Sequence, residues 1–119
     1  MKRKVYIETS VISYLTSRPS KNVIEAGHQQ TTYLFWDRRR EVDLVASELV
    51  VTECGGGDAS AASKRLDALL GIPLLDITAR SVELAKGLVA AGIVPLRATE
   101  DAIHISIATV HFVDLGVST

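Results

Sequence analysis

The stretch "VYIETSVISYL", residues 5–15, decides the fold. Val5, Tyr6 and Ile7 read as a buried strand. Apolar residues then return at Val11, Ile12, Tyr14 and Leu15 with helical spacing, so a strand over 4–8 passes almost directly into a short helix capped by Thr9 or Ser10. Between the two lies Glu8, a carboxylate at the carboxyl end of the strand.

The same alternation continues outward from this unit. "SRPSKN" breaks the chain at Pro19, and a second helix over about 25–40 carries Tyr33, Leu34 and Trp36. "VDLVAS" is a second strand, with Ser47 as N-cap of the helix "ELVVTEC". "GGGD" at 55–58 ends that helix, and Asp58 caps another with Ala62, Leu66, Leu69 and Leu70 on its apolar side. "IPLLDIT" is a third strand with Pro73 at its start or on an edge. A helix with Leu84, Ala85, Leu88 and Val89 follows and ends at Gly92 and Pro95. Thr99 caps a last long helix through about Phe112, and "LGVST" is a terminal strand. Strand followed by helix predicts right-handed parallel crossovers. The expected fold is α/β and three-layer: a mostly parallel four-stranded sheet flanked by helices, in one domain over 1–119.

Composition agrees with a single core, since 47% of the 119 residues are apolar. One cysteine, Cys54, excludes an internal disulfide and a thiolate zinc site. The basic start, Met1-Lys2-Arg3-Lys4, is followed by an apolar run that Glu8 interrupts, so it does not read as a signal peptide. No segment has the length of a membrane span, and the expected location is cytoplasmic. The formal net charge of -1 makes cation clusters matter more than the total. Lys2-Arg3-Lys4, Arg18 with Lys21, and Arg38-Arg39-Arg40 are such clusters; the arginine triplet reads best as a solvated last helical turn.

In parallel sheets, function gathers at the carboxyl ends of the strands. On the helix after the second strand, Glu53 follows Leu49 by four residues and Val50 by three, so it shares their inward face. Glu48 lies about 140° away and looks outward. Asp101 stands in the first turn of the last helix, whose Ala102, Ile103, Ile105, Ile107 and Ala108 mark it as buried. An acid in a first helical turn commonly serves only the helix dipole, for about 0.3 to 1 kcal/mol. If Glu8, Glu53 and Asp101 converge at one rim, however, they repel by about 4 kcal/mol per pair at about 4 Å. A hard cation, Mg²⁺ or Mn²⁺, would then be expected, with phosphodiester hydrolysis as the reaction class. His104, one turn after Asp101, reads as a packed or hydrogen-bonded histidine. Cys54 reads as a small helix residue, and "GGGD" lacks the lysine of a phosphate-binding loop.

"VYIETSVISYLTSRPS", "SELVVTE" and "ATEDAIHISIATVHFVD", in this order and at this spacing, resemble the PIN-domain ribonucleases, many of them toxins of bacterial toxin-antitoxin pairs. The resemblance spans nearly the whole chain. It implies a metal-dependent ribonuclease acting on RNA, with Mg²⁺ or Mn²⁺ held by Glu8, Glu53 and Asp101 as catalytic residues. Thr9 or Ser10 would orient water or phosphate. Arg18, next to Pro19, has two readings, meeting RNA phosphate or pairing with a site acid. A cognate antitoxin is the partner it implies; a homodimer is expected because the shortened end would leave an open sheet edge or exposed apolar face. Two departures point to an alternative, a catalytically weakened or inactive PIN-like binding or assembly module. The family's usual first acid is aspartate where this chain has Glu8. The family's further helix, strand and fourth site residue have no counterpart before Thr119. A phosphatase or receiver-type acidic site fits less well, because the first strand lacks an Asp-x-Asp pattern.

Overall fold

The computed structural model describes residues 2–111 and the backbone of residues 114–115. Its first strand, β1 (Lys4–Tyr6), lies beside β2 (Asp43–Ser47), with Lys4 opposite Asp43, Val5 opposite Leu44 and Tyr6 opposite Val45. β3 (Leu74–Leu75) pairs with the far end of β2, Ala46 opposite Leu74 and Ser47 opposite Leu75. On the other side of β1, β4 (Asp114–Leu115) pairs with Val5 and Tyr6. The order is β3-β2-β1-β4, and every pairing is parallel.

This corrects the expected mostly parallel sheet of four strands. The body of the sheet is three all-parallel strands, β3-β2-β1, flanked among the described residues by six α-helices. The "LGVST" segment contributes to the described sheet only through the two-residue β4, and residues 116–119 lie outside the described residues. β3 is shorter than "IPLLDIT" implied because Pro73 has no N–H to donate. Its carbonyl accepts from Ala46 N at 2.9 Å, and pairing ends after Leu75.

The helices are α1 (Thr9–Thr16), α2 (Val23–Asp37), α3 (Glu48–Cys54), α4 (Ala59–Leu69), α5 (Ala79–Ala90) and α6 (Thr99–Val110). Their caps differ from expectation in instructive ways. Glu8, not Thr9 or Ser10, is the N-cap residue of α1, and its side chain makes no capping bond. The second helix starts early, because Asn22 accepts from the backbone N–H groups of Ile24 and Glu25. Thr78 accepts from Ser81 N and so starts α5 a full turn ahead of its first leucine. Ser47 and Asp58 cap α3 and α4. The arginine triplet is not a last helical turn. α2 ends at Asp37, residues 39–41 form a 3-10 turn, and Arg38 forks onto Glu41 at 2.6 and 2.8 Å.

The core joins sheet and helices through residues that leave no surface to water. Tyr6, Ile7, Val11, Ile12, Val50, Cys54 and Ile107 are fully buried, with Ala46 between them. Burying side chains of this kind contributes roughly 1.5 to 3 kcal/mol each. A smaller cluster of Ala85, Val94 and Ala102 holds α5 against α6. Topology fixes the direction of α6. It precedes a strand that runs parallel to β1, so it must begin at the rim where the strands end. Glu8, Ser47 and the first turns of α6 therefore share one rim.

Candidate functional site

At that rim the structure builds a chain of hydrogen-bonded side chains. Along β2, Ser47 lies two residues beyond Val45, the partner of Tyr6, so the two side chains emerge on the same face of the sheet. Tyr6 Oη is 2.8 Å from Ser47 Oγ and 2.7 Å from His104 Nδ1. The other ring nitrogen of His104, Nε2, lies 2.8 Å from Glu53 Oε1, which also accepts from Thr9 Oγ1 at 2.5 Å. The Glu100 carboxyl lies close enough to Glu53 for the two to perturb each other. Five segments of the chain are tied together here. Tyr6, Ser47 and His104 are buried, and Glu53 and Thr9 are half-buried toward the opening.

The charges at this rim follow from its donors. Burial works against ionising Glu53, but hydrogen bonds from Glu100, Thr9 and His104 outweigh it and hold the carboxyl below its ordinary range. Glu100 moves the opposite way: the Glu53 carboxyl beside it and the negative charge there raise its pKa. An ionised Glu53 can only accept. Thr9 O–H and His104 Nε2–H then donate to it, His104 Nδ1 accepts from Tyr6 O–H, and Tyr6 Oη accepts from Ser47 O–H. Ser47 Oγ in turn accepts from Val50 N at 3.4 Å. Burial, with the negative charges of Glu8 and Glu53 adding to it, pushes the Tyr6 phenol up to about 12 although Ser47 pulls the other way, so the hydroxyl keeps its proton.

Not all of the residues singled out in the sequence arrive at this place. Glu53 and Thr9 are joined directly, and Glu8 is near enough for its charge to act on Tyr6. The Ser10 hydroxyl is buried without a hydrogen-bond partner among the described residues. Asp101 is exposed, and the carboxyl that reaches Glu53 is that of its neighbour Glu100. Arg18 lines a separate cavity between the end of α1 and the start of α4. His104 is the residue that carries most of the geometry. The sequence read it as a packed or hydrogen-bonded histidine, but nothing in its surroundings in sequence named Tyr6 and Glu53 as the partners.

The expected Mg²⁺ or Mn²⁺ centre on Glu8, Glu53 and Asp101 is therefore corrected. Among the described residues no three His, Cys, Asp or Glu side chains are grouped so as to hold a metal ion. The physical reason is local: Glu53 Oε1 already accepts two hydrogen bonds, and Asp101 is exposed. With that centre goes the expected metal-dependent ribonuclease. What the arrangement does chemically is to fix a proton and orient an imidazole. Its hydroxyl, Tyr6 Oη, belongs to a residue with no exposed surface and cannot meet a reactant from solution. Cys54 is likewise buried, and burial raises its thiol pKa, which keeps it from acting as a nucleophile.

No family model matches the chain, and no curated protein matches it. Among the described residues no helix is long and apolar enough to cross a membrane.

Proposed function

We propose that this domain is a binding or assembly module on a PIN-like scaffold, whose acidic crevice serves structure and recognition in place of hydrolysis. The observation that carries this reading is the engagement of Glu53 by Thr9, His104 and Glu100, which leaves the central acid of the crevice committed to its own chain. The surface adds support. Beside α5 and α6 runs an apolar groove of about 380 Å³ lined by Val82, Ala85, Val89, Leu96 and Ile103, and Ile93 and Leu96 are 71% and 79% exposed. Exposed apolar area of this kind marks protein contact surfaces. A second copy of the chain or a partner protein of the antitoxin kind would cover it.

The test is calorimetric titration of the purified protein with Mn²⁺, run beside incubation with RNA and an Asp101→Asn control. The expected result is no saturable heat and no cleavage that the control lacks. Saturable Mn²⁺ binding that Glu53→Gln abolishes would overturn the reading. Sedimentation over a concentration series, with Leu96→Glu as comparison, reports whether the groove is covered by a second copy.

A further inference from the structure

We infer that the cavity between the end of α1 and the start of α4 binds a phosphate dianion carried by a small molecule, either inorganic phosphate or a phosphate monoester. The cavity measures about 340 Å³, within the range of small-molecule sites, and is lined by Arg18, Lys64 and Arg65 together with Ser60 and Asp58. Three cations brought together from two distant segments repel one another unless an anion joins them. None of the three forms an ion pair among the described residues. The one acid in the lining, Asp58, has an oxygen turned to the backbone, where it accepts from Ala61 N at 2.9 Å.

Arg65 is what makes this a site rather than a loose cluster. Its Nε donates to Cys54 O at 2.9 Å and its Nη2 to Gly56 O at 2.7 Å, so neutral carbonyls fix the guanidinium plane without cancelling its charge. Of its five N–H groups these bonds use two, and the remainder are free for an oxyanion. Lys64, next to it on α4, and Arg18, at the end of α1, are exposed and can close on a ligand. The "GGGD" turn thus contributes through the Gly56 carbonyl, by positioning Arg65, and not by wrapping a phosphate itself. A small ligand fits better than a polyanion. The chain as a whole carries -1, and of its other arginines Arg38 is engaged by Glu41 and Arg39 lies over the Trp36 ring. A nucleic-acid backbone would need a continuing run of free cations. This inference stands apart from the Glu53 crevice and does not depend on it.

The experiment records amide NMR spectra of the intact protein during titration with inorganic phosphate, with adenosine 5′-monophosphate, and with a short RNA lacking a terminal phosphate. The comparison protein is the double variant Arg18→Gln/Lys64→Gln, both substitutions at exposed positions, with its melting temperature confirming the fold. Saturable shifts confined to residues around 16–18 and 58–65, weakened about tenfold or more in the double variant, are expected. Equal affinity for the two small probes identifies free phosphate as the source, and tighter binding of the nucleotide identifies a phosphate ester. Three results overturn the proposal: no saturable shift with either small probe, undiminished shifts in the double variant, or binding of the unphosphorylated RNA alone.

Discussion

Replacing Tyr6 by phenylalanine removes one oxygen and leaves the ring, so it isolates what the buried hydroxyl contributes. Two hydrogen bonds disappear, at 2.8 Å to Ser47 and 2.7 Å to His104. Each such bond is worth about 1 kcal/mol net, and His104 Nδ1, left without a donor in a buried position, adds about 1 kcal/mol or more. The expected loss of unfolding free energy at neutral pH is therefore about 2 to 3 kcal/mol. The same hydroxyl gives the comparison a pH signature. Its pKa is about 12 in the folded protein, against about 10 in an unfolded chain. A raised pKa means the folded state holds the proton longer, so this stabilisation is complete below pH 10 and is lost as pH rises from about 10 towards 12. Over that interval the wild type should fall by up to about 3 kcal/mol relative to Tyr6→Phe, nearly closing the gap between them. Urea unfolding of both proteins at neutral pH and at several points between about pH 9 and 11 measures this directly. A Tyr6→Phe loss below about 0.5 kcal/mol, or a gap that does not narrow with alkali, would refute the hydrogen-bond chain as described.

Two further outcomes follow from the same structure. Glu53 is held below the ordinary carboxylate range, so its stabilisation is present above the unfolded-state value and is lost as pH falls through its folded one; Glu53→Gln should flatten the acid limb of a melting-temperature profile taken from about pH 7 downward. Gly87 sits inside α5 with no neighbouring atom within 4 Å of where an added Cβ would stand, so Gly87→Ala should stabilise by about 0.5 to 1 kcal/mol in the same urea assay.

The inward face of Glu53 was legible because Leu49 and Val50 set the phase of a regular helix, and Glu48 is indeed exposed. The parallel direction of the strands and the rim position of Glu8 followed from alternation alone. What the sequence did not disclose depends on how elements rotate against one another. Glu100 and Asp101 differ by about 100° around α6, and only the setting of that helix against α3 decides which faces Glu53. His104 faced inward on any reading, but its partners lie 98 and 51 residues away and no local pattern specifies them. The metal expectation failed at this point, because Glu53 is taken up by Thr9 and His104 and no third ligand is grouped with it among the described residues. Lengths of the short strands were also hidden: β3 is two residues because a proline and a helix cap compete for its ends.

The hydrogen-bond chain has a consequence for the order in which the molecule assembles. Its links join residues 41, 44, 51 and 98 positions apart, so none of them can form from local collapse. During synthesis the link to His104 has to wait until α6 has left the ribosome. Long-range closures of this kind are made late, after the loop entropy has been spent. Tyr6→Phe should accordingly leave the folding limb of a chevron nearly unchanged and speed the escape from the native state, making this cluster a latch on lifetime more than a guide to folding.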